Sequence, residues 1–270
     1  VNRAKGGRRK MRYYVMSDLH SCLTPFREAL SSSGFYDDAQ PHKLIILGDY
    51  FDRGPEAPEL SDFLCSLIDA GNTILLRGNH EDLMLDMLDF MEDNAGTNAV
   101  FYSHYARNGT LKTVLTLTGA SERDVIDDAP GVTAKMRQTD LVKKIIPATV
   151  DYYETARYVF VHGWIPCARA NEELGCLPPS FDDWRNASPD DWFAARWMDY
   201  LSGLKYDANP TGKTIVCGHR STRYGHAQLD GNDDPSVIYT PFRREGLIAV
   251  DGTVVRSNVI NCVILEDDDL

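Results

Sequence analysis

The sequence predicts an α/β domain built around a largely parallel sheet, on three observations. Short apolar runs with strand character alternate with helix-period runs over residues 13–91, and this β-α-β-α-β order is typical of parallel sheets. Each of these strand runs leads into a polar motif that contains carboxylate, imidazole or amide side chains. The composition, 43% hydrophobic and 25% charged among 270 residues, is that of a globular protein with a substantial core. We therefore expect a site beyond the carboxyl ends of the strands.

Three strands and a short helix are predicted first. Residues 13–16 form a β-rich run, and residues 44–47 form a continuous apolar run typical of a strand covered on both faces. Residues 26–33 between them predict a helix closed by Gly34. Residues 73–76 predict the third strand, which delivers the next polar motif.

A second helix between the second and third strands is predicted by one apolar stripe with i, i+3, i+4, i+7 and i+8 spacing. Gly71 follows the stripe and is expected to end the helix. The stripe consists of Leu60, Phe63, Leu64, Leu67 and Ile68.

The pattern changes over residues 81–150, which we interpret as a mostly helical cap insert packed beside the sheet. Residues 81–91 are acidic with helical spacing, and a second apolar face precedes Pro147. Within a single domain covering residues 13–265, this insert is the expected source of side chains that cover the site. The second face consists of Leu141, Val142, Ile145 and Ile146.

Strands are predicted to resume after the insert. Residues 158–161 and 215–217 read as buried strands, separated by an irregular passage rich in Pro and Trp over residues 164–197. The closing strands are expected to be antiparallel around Asp251. They are predicted at residues 247–250, 254–255 and 259–265.

Polar motifs follow the first two strands. Asp18 and His20 alternate on a strand-like segment with Leu19 between them, so both side chains are expected to aim at one point. Within residues 48–54, Asp49 comes after a buried strand and between glycines that permit close backbone approach. Such a carboxylate suits a ligand that bridges two cations.

The third motif and two later histidines extend this set. Asn79 offers an amide oxygen next to His80, which Asp52 is available to orient as an acid. His162 and His219 each lie at a predicted strand end beside a glycine. Together the motifs supply carboxylates, imidazoles and an amide, the mixture that two divalent metals sharing one site need.

These motifs resemble the signatures of the calcineurin-like metallophosphoesterases, specifically the PPP-type serine/threonine phosphatases and the symmetrical diadenosine tetraphosphatases. Residues 48–54 and 75–81 are similar to that family's GDYVDRG and LRGNHE almost letter for letter. The resemblance runs from about residue 11 to residue 265, although only the motifs match strongly. It implies an α-β-β-α sandwich of two mixed sheets flanked by helices, with the helical insert.

The resemblance also implies two divalent metal ions, with Asp49 bridging them. Oxygen and imidazole ligands without thiolate fit Mn, Fe or Zn about equally. The first ion is assigned to Asp18, His20 and Asp49, and the second to Asp49, Asn79, His162 and His219.

The reaction implied by the resemblance is direct attack on phosphorus by a metal-bridging hydroxide. His80 is the expected general acid to the leaving oxygen, oriented by Asp52. Arg53 is expected to bind the substrate phosphate, with Arg77 and Asn79 as further phosphate contacts.

The sequence departs from the family pattern near the site. Residues 17–21 read SDLHS in place of GDxHG, and residues 162–164 read HGW in place of HGG. A further family arginine has three candidate counterparts, Arg169, Arg220 and Arg223. These departures preserve the metal ligands and leave the substrate open.

Hydrolysis of phosphate monoesters by a PPP-type protein phosphatase is the main expectation, with a phosphorylated protein or a small phosphoester as substrate. The alternative, a dinucleoside polyphosphate hydrolase, needs an adenine-stacking surface, for which Tyr102, Tyr105 and Trp164 are candidates. A metal-stabilised binding scaffold is the non-enzymatic alternative. The pair Asp52 and His80 argues against it, because a purely structural site has no use for an oriented acid.

Charge and cysteine content bound the remaining possibilities. The chain has 28 Lys+Arg and 40 Asp+Glu, a net charge of −12 that disfavours a stable nucleic-acid complex. Basic residues 1–12 and acidic residues 266–270 are expected to be solvated tails, and no run suits a membrane span. Six cysteines without a C-x-x-C pair predict reduced thiols and a cytoplasmic location.

Overall fold

Two mixed sheets form the centre of the fold in the computed structural model, which describes residues 10–167, 183–205 and 207–267. In chain order, the strands are β1 (Met11–Met16), β2 (His42–Ile46), β3 (Thr73–Leu76), β4 (Thr149–Val150), β5 (Tyr152–Glu154), β6 (Tyr158–Val161), β7 (Thr214–Cys217), β8 (Phe242–Arg244), β9 (Leu247–Ala249) and β10 (Val263–Asp267).

The first sheet has the order β10-β1-β2-β3-β4 and the second has the order β5-β6-β7-β9-β8. Neighbours are parallel from β1 to β4 and from β6 through β7 to β9. The edge strands β10, β5 and β8 pair antiparallel. The carboxyl ends of the parallel strands in each sheet therefore lie along one edge.

Helices cover the outer face of each sheet. Short 3₁₀ turns lie at Phe35–Asp37, Ile146–Ala148 and Trp184–Asn186, and π-helical turns lie at Leu141–Ile145 and His226–Asp230. The α-helices are α1 (Leu23–Ser32), α2 (Ala57–Ala70), α3 (Asn79–Asp93), α4 (Ala99–Tyr102), α5 (His104–Asn108), α6 (Thr110–Thr118), α7 (Glu122–Asp127), α8 (Ala129–Met136), α9 (Pro189–Arg196), α10 (Tyr200–Lys205), α11 (Thr222–Gly225) and α12 (Val254–Ser257).

Alternate residues of each central strand divide between two cores, as strand geometry requires. In β2 and the residue after it, Leu44 and Ile46 pack in the core formed with α1, α2 and α3, while Ile45 and Leu47 face the second sheet. Phe160 of β6 joins that inner core from the other sheet. The predicted α-β-β-α sandwich of two mixed sheets is confirmed.

The segment between β3 and β4 is helical, from α3 through α8 to the turns that precede β4. Its buried faces, including Val100, Leu111 and Val125, belong to the same core as α2 and the outer face of β2. The segment therefore lies against the first sheet and shares its hydrophobic interior.

The predicted closing strands are wrong in part. Residues 254–255 begin α12 instead of a strand, because Thr253 and Asn258 on either side have left-handed backbone with φ of 58°. These residues turn the chain into and out of one helical turn, which overrides the β-propensity of two valines. The expected antiparallel pairing around Asp251 is also wrong, because β9 pairs within the second sheet and β10 pairs within the first.

The first sheet includes residues from both segments predicted as tails. β1 begins at Met11, and β10 ends at Asp267. The passage predicted as irregular, residues 164–197, contains α9, while residues 168–182 lie outside the described part. No helix among the described residues is long and apolar enough to cross a bilayer.

Candidate metal centre

The ends of five strands bring polar motifs from both sheets to one place. β1, β2 and β3 of the first sheet and β6 and β7 of the second each lead into such a motif. Because parallel strands end at a common edge, the motifs meet although they are far apart in the chain. The residues delivered in this way include Asp18, Asp49, Asn79, His162 and His219.

Asp49 is shared by two clusters of possible metal ligands. His20, Asp49 and His80 form one cluster, and Asp49, His162 and His219 form the other, with ligand atoms within 4.8 Å of one another. Asp49 Oδ2 lies 3.8 Å from Nε2 of His20 and of His80, whereas Asp49 Oδ1 lies 3.3 Å from His162 Nε2. One carboxylate oxygen thus faces each cluster, which is the arrangement a bridging ligand requires.

Backbone carbonyls fix the orientation of two imidazoles. Nδ1 of His20 lies 2.9 Å from the Phe51 carbonyl, and Nδ1 of His162 lies 2.7 Å from the Leu47 carbonyl. Because a carbonyl only accepts, each Nδ1 carries the proton and each Nε2 directs a lone pair into the cluster. Burial also lowers the pKa of both histidines well below its ordinary value, so both rings are neutral and could serve as metal ligands.

The second cluster concentrates acceptor atoms. His162 Nε2 lies 2.9 Å from Asn79 Oδ1, and the pKa of His219 is lowered to about 4 by burial. The lone pairs of an imidazole and an amide oxygen facing each other repel unless a cation lies between them. Carboxylate, imidazole and amide donors therefore fit a divalent ion here, although this donor set does not select one metal.

Two buried carboxylates place negative charge in the same space. Burial is the main cause that raises the pKa of Asp18 and of Asp49, and repulsion from neighbouring carboxylates adds to it. Asp18 Oδ2 accepts hydrogen bonds from the Ser17 hydroxyl and from the His219 amide 3.0 Å away. The charge of bound cations would offset the cost of burying these groups.

The Glu81 carboxylate holds the backbone of the Asp49 loop in place. Its carboxylate accepts backbone hydrogen bonds from Asp49 and Tyr50 at 3.0 Å and from Gly78 at 2.8 Å. Burial raises the pKa of Glu81 to about 7 in spite of these bonds. Gly48, with φ of 100°, permits the close approach, because a Cβ there would lie 2.5 Å from the Gly78 nitrogen.

The loops that carry the site are strained. Among the described residues, ten non-glycine residues have positive φ, and seven of them lie in the site motifs. Asp18 and His20 have φ of 54° and 42°, so the expectation that they alternate on strand-like backbone is wrong. Left-handed turns, and not the pleat of a strand, direct these side chains into the site. The other five are Ser21, Asp49, Asp52, Arg53 and His219.

The pair His80 and Asp52 has the geometry of an oriented acid. His80 Nδ1 lies 2.6 Å from Asp52 Oδ2, which leaves Nε2 facing the clusters. Thr110 and Thr113 of α6 donate hydrogen bonds of 2.7 and 2.6 Å to the two oxygens of Asp52. Sequence reasoning missed both threonines, which lie 58 and 61 residues from Asp52 in a helix without a recognisable motif.

We expect Thr113→Val to lower kcat about 10-fold without changing the metal content. The Asp52 carboxylate, which positions His80, loses the buried hydrogen bond that the Thr113 hydroxyl donates. Steady-state kinetics and elemental analysis test this. Thr116→Val is the matched control, since this exposed residue of α6 bonds only its own helix, through the Lys112 carbonyl. Equal kcat for Thr113→Val and wild type would contradict the positioning role.

The two predicted phosphate-binding arginines lie in different surroundings. Arg53 lies between the imidazoles of the first cluster, with Nη1 2.8 Å from His20 Nε2 and Nη2 2.8 Å from His80 Nε2. Arg77 instead donates from Nε to Asp82 at 2.7 Å, and Asp82 also accepts from Arg196 of α9. This ion network ties α3 to α9, so phosphate binding by Arg77 stays a prediction.

A cavity of about 480 Å³ opens beside the clusters. His20, Arg53 and His219 form part of its wall, and four of the eight further lining residues come from the loop after β7 and from α11, α12 and α5. Only Arg220 among these four was indicated by the sequence, as a possible counterpart of a family arginine. They are Arg220, Tyr224, Arg256 and Arg107.

None of the three aromatic residues predicted as stacking surfaces lines this cavity. Trp164 is 1% exposed and donates to the Ala208 carbonyl, and Tyr105 is packed in the core. Tyr102 is exposed but lines a different cavity in the helical segment. Of the other arginine candidates, Arg223 is exposed outside the cavity, and Arg169 lies outside the described residues.

Comparison with known proteins agrees with this geometry. The sequence profile described as Calcineurin-like phosphoesterase matches residues 11–244. A symmetrical bis(5'-nucleosyl)-tetraphosphatase of Marinomonas sp. is 28% identical over 202 residues, which cover 72% of this chain and 62% of that protein. Another, of Thioalkalivibrio sulfidiphilus, is 39% identical over 71 residues, 26% of this chain and 25% of that protein.

The chain thus spans less than two thirds of the length of these relatives. A solved structure of a cold-active protein tyrosine phosphatase superposes with a TM-score of 0.55 at 18% identity, covering 96% of this chain and 74% of that one. This likeness supports the sandwich fold alone. Because the profile matches most of the sequence and the motifs meet in one site, the chain belongs to the calcineurin-like phosphoesterase family.

Proposed function

We propose that the protein hydrolyses dinucleoside polyphosphates such as diadenosine tetraphosphate. As a member of its family it is a phosphoric ester hydrolase, which sets aside the binding scaffold. The observation that carries the proposal is an arginine-lined cavity beside two ligand clusters that share Asp49. The names of the sequence relatives favour this substrate class over the phosphorylated protein that was the main expectation from the sequence.

In this proposal the carboxylate, imidazole and amide side chains around Asp49 would hold the two metals. Asp18, His20 and Asp49 would hold one ion, and Asp49 with Asn79, His162 and His219 would hold the second. When bound, two divalent cations would supply a Lewis acid for the phosphate oxygens and would lower the pKa of a bound water molecule.

The remaining side chains act on the substrate itself. His80 Nε2 accepts a hydrogen bond from Arg53 Nη2 at 2.8 Å. Once the ring also carries a proton on Nε2, it delivers that proton to the leaving phosphate oxygen, while Asp52 holds the ring through Nδ1. Arg53 lies next to His80 and binds the phosphate under attack through its guanidinium, which offers paired donors to phosphate oxygens. Burial of the acid and its carboxylate keeps both in one geometry.

A substrate panel tests the proposal. The protein loaded with Mn²⁺, Fe²⁺ or Zn²⁺ in turn is assayed with diadenosine tetraphosphate, a phosphoserine peptide and p-nitrophenyl phosphate. We expect kcat/KM for the dinucleotide to exceed that for the peptide by about 100-fold or more, as for sites built around one substrate class. Chromatography of the products separates ADP alone from ATP with AMP and so gives the cleavage position. A peptide that matches or outperforms the dinucleotide would overturn the proposal.

A further inference from the structure

The cavity beside the metal centre has a charge opposite to that of the whole protein. The chain carries a net charge of −12, yet four guanidinium groups and one carboxylate line the cavity. Arg53 contacts the imidazoles of the first cluster and is the arginine assigned above to the phosphate under attack. The other three arginines extend the positive surface away from the metal ligands, so the cavity suits an anion larger than one phosphate. They are Arg107, Arg220 and Arg256.

The guanidinium groups of these arginines make few hydrogen bonds or ion pairs with the described residues. The Arg220 side chain is 40% exposed, but its Nε is buried without a hydrogen bond and makes only a long ion pair of 3.9 Å with an Asp199 carboxylate oxygen. Within the described residues, the guanidinium of Arg256 has no hydrogen bond or ion pair, and that of Arg107 has one bond of 3.4 Å to a carbonyl. A buried donor without a partner is costly, so its retention beside a cavity points to a ligand.

An aromatic surface lies beside the same arginines. The Arg220 guanidinium carbon is 3.9 Å from the centre of the Tyr224 ring, and Tyr224 is 40% exposed where it lines the cavity. A guanidinium and a phenol ring in contact present flat surfaces on which a nucleobase stacks, next to donors for phosphate. Arg220 directly follows His219, so this surface begins at the metal centre.

Resting on the proposed function, we infer that Arg220, Tyr224 and Arg256 bind the nucleotide half of the substrate that lies beyond the phosphate under attack. Arg220 and Arg256 donate to the distal phosphates, and Tyr224 stacks on the base. The volume of about 480 Å³ is in the range of small-molecule sites and suits a nucleotide better than an extended phosphopeptide.

Kinetics of three variants test the inference in the metal-loaded enzyme. We expect Arg220→Met, Arg256→Met and Tyr224→Ala each to lower kcat/KM for diadenosine tetraphosphate about 10-fold or more. The loss on this substrate is expected to exceed the loss on p-nitrophenyl phosphate at least about 10-fold, because the small substrate lacks a distal nucleotide. Tyr224→Phe keeps the ring and is expected to recover most of the dinucleotide activity that Tyr224→Ala loses. Arg123→Met, an exposed arginine of α7, controls for loss of one positive charge.

Calorimetric titration of the same proteins with ADP and with pyrophosphate separates the two contacts. Arg220→Met is expected to weaken both ligands about 10-fold, because both present phosphate. Tyr224→Ala is expected to weaken ADP about 10-fold and pyrophosphate less than about 2-fold, because only ADP has a base to stack. Thermal unfolding of each variant establishes that it is folded.

The outcomes separate this inference from the proposed function. Failure of the wild-type enzyme to cleave the dinucleotide, with activity on another phosphoester, would overturn both. Cleavage by the wild type with equal losses on both substrates in the variants would overturn the inference alone. Selective loss of phosphopeptide turnover in the variants would also overturn it and would assign the cavity to protein recognition.

Discussion

His80→Asn is expected to lower kcat about 100-fold or more while the protein keeps its full metal content. His80 Nε2 faces the clusters, and Asp52 fixes the ring through a 2.6 Å contact to Nδ1. Asparagine supplies an amide of similar reach but has no proton to transfer at neutral pH. The loss in kcat should grow with the basicity of the leaving group. Hydrolysis of phenyl phosphate should therefore slow more than hydrolysis of p-nitrophenyl phosphate.

Metal analysis decides between two roles for His80, because its ring also belongs to the cluster formed with His20 and Asp49. If His80 is a ligand, the asparagine variant will lose an ion, and added metal will restore part of the activity. If it is the acid, both ions remain and added metal restores nothing. His104→Asn, an exposed histidine of α5, is the matched control and should retain wild-type kinetics. A variant with two ions and near-normal turnover would rule out the acid.

The fold and the positions of the strand-end motifs can be predicted from the sequence, because both follow from the order of neighbouring apolar and polar residues along the chain. Asp49 and Asn79 follow apolar runs that are buried strands on both faces, and parallel strands necessarily end together. The position of these residues therefore followed from the pattern of strands and helices. Their conformation did not, because Asp and His adopt left-handed backbone more often than most residues but do not require it, so their presence at Asp18 and His20 does not predict it.

The sequence does not predict which side chains reach the site from helices that are distant in the chain. Thr113 bonds to Asp52 across 61 residues, and α6 carries only the apolar spacing of any packed helix. Arg256 reaches the cavity from α12, at residues whose β-branched neighbours indicated a strand. Trp164 shows the converse, because an aromatic residue next to a ligand motif can point into the core, as aromatic residues more often do. Tertiary packing decides such cases, and single-sequence patterns do not contain it.

Asp49→Asn is expected to abolish binding of both metals and to leave less than about 1% of wild-type activity, a loss larger than that of any one imidazole ligand. Each of its carboxylate oxygens faces a different cluster, so neutralising one residue weakens both sites at once. An amide offers one neutral oxygen in place of two charged ones, and it cannot bridge two cations. Elemental analysis after gel filtration measures the change, with the exposed Asp127→Asn as control. A variant that retains two ions would refute the bridging role.

The same substitution should stabilise the metal-free protein, which separates loss of metal from loss of fold. Burial and the nearby charges of Asp18 and Glu81 raise the pKa of Asp49, so ionisation of Asp49 opposes folding when no cation is bound. Because the folded pKa lies above the unfolded value of about 3.9, this cost is absent below that pH and grows as the pH rises toward the folded pKa. In chelator-treated samples at neutral pH, Asp49→Asn should therefore raise the free energy of unfolding, and the difference should vanish near pH 4. The amide can still accept the 3.0 Å bond that the His80 backbone donates to Asp49, so no hydrogen bond need be lost. Denaturant unfolding at the two pH values measures this, and a metal-free variant less stable than metal-free wild type at neutral pH would show that the loss of metal follows from a damaged fold.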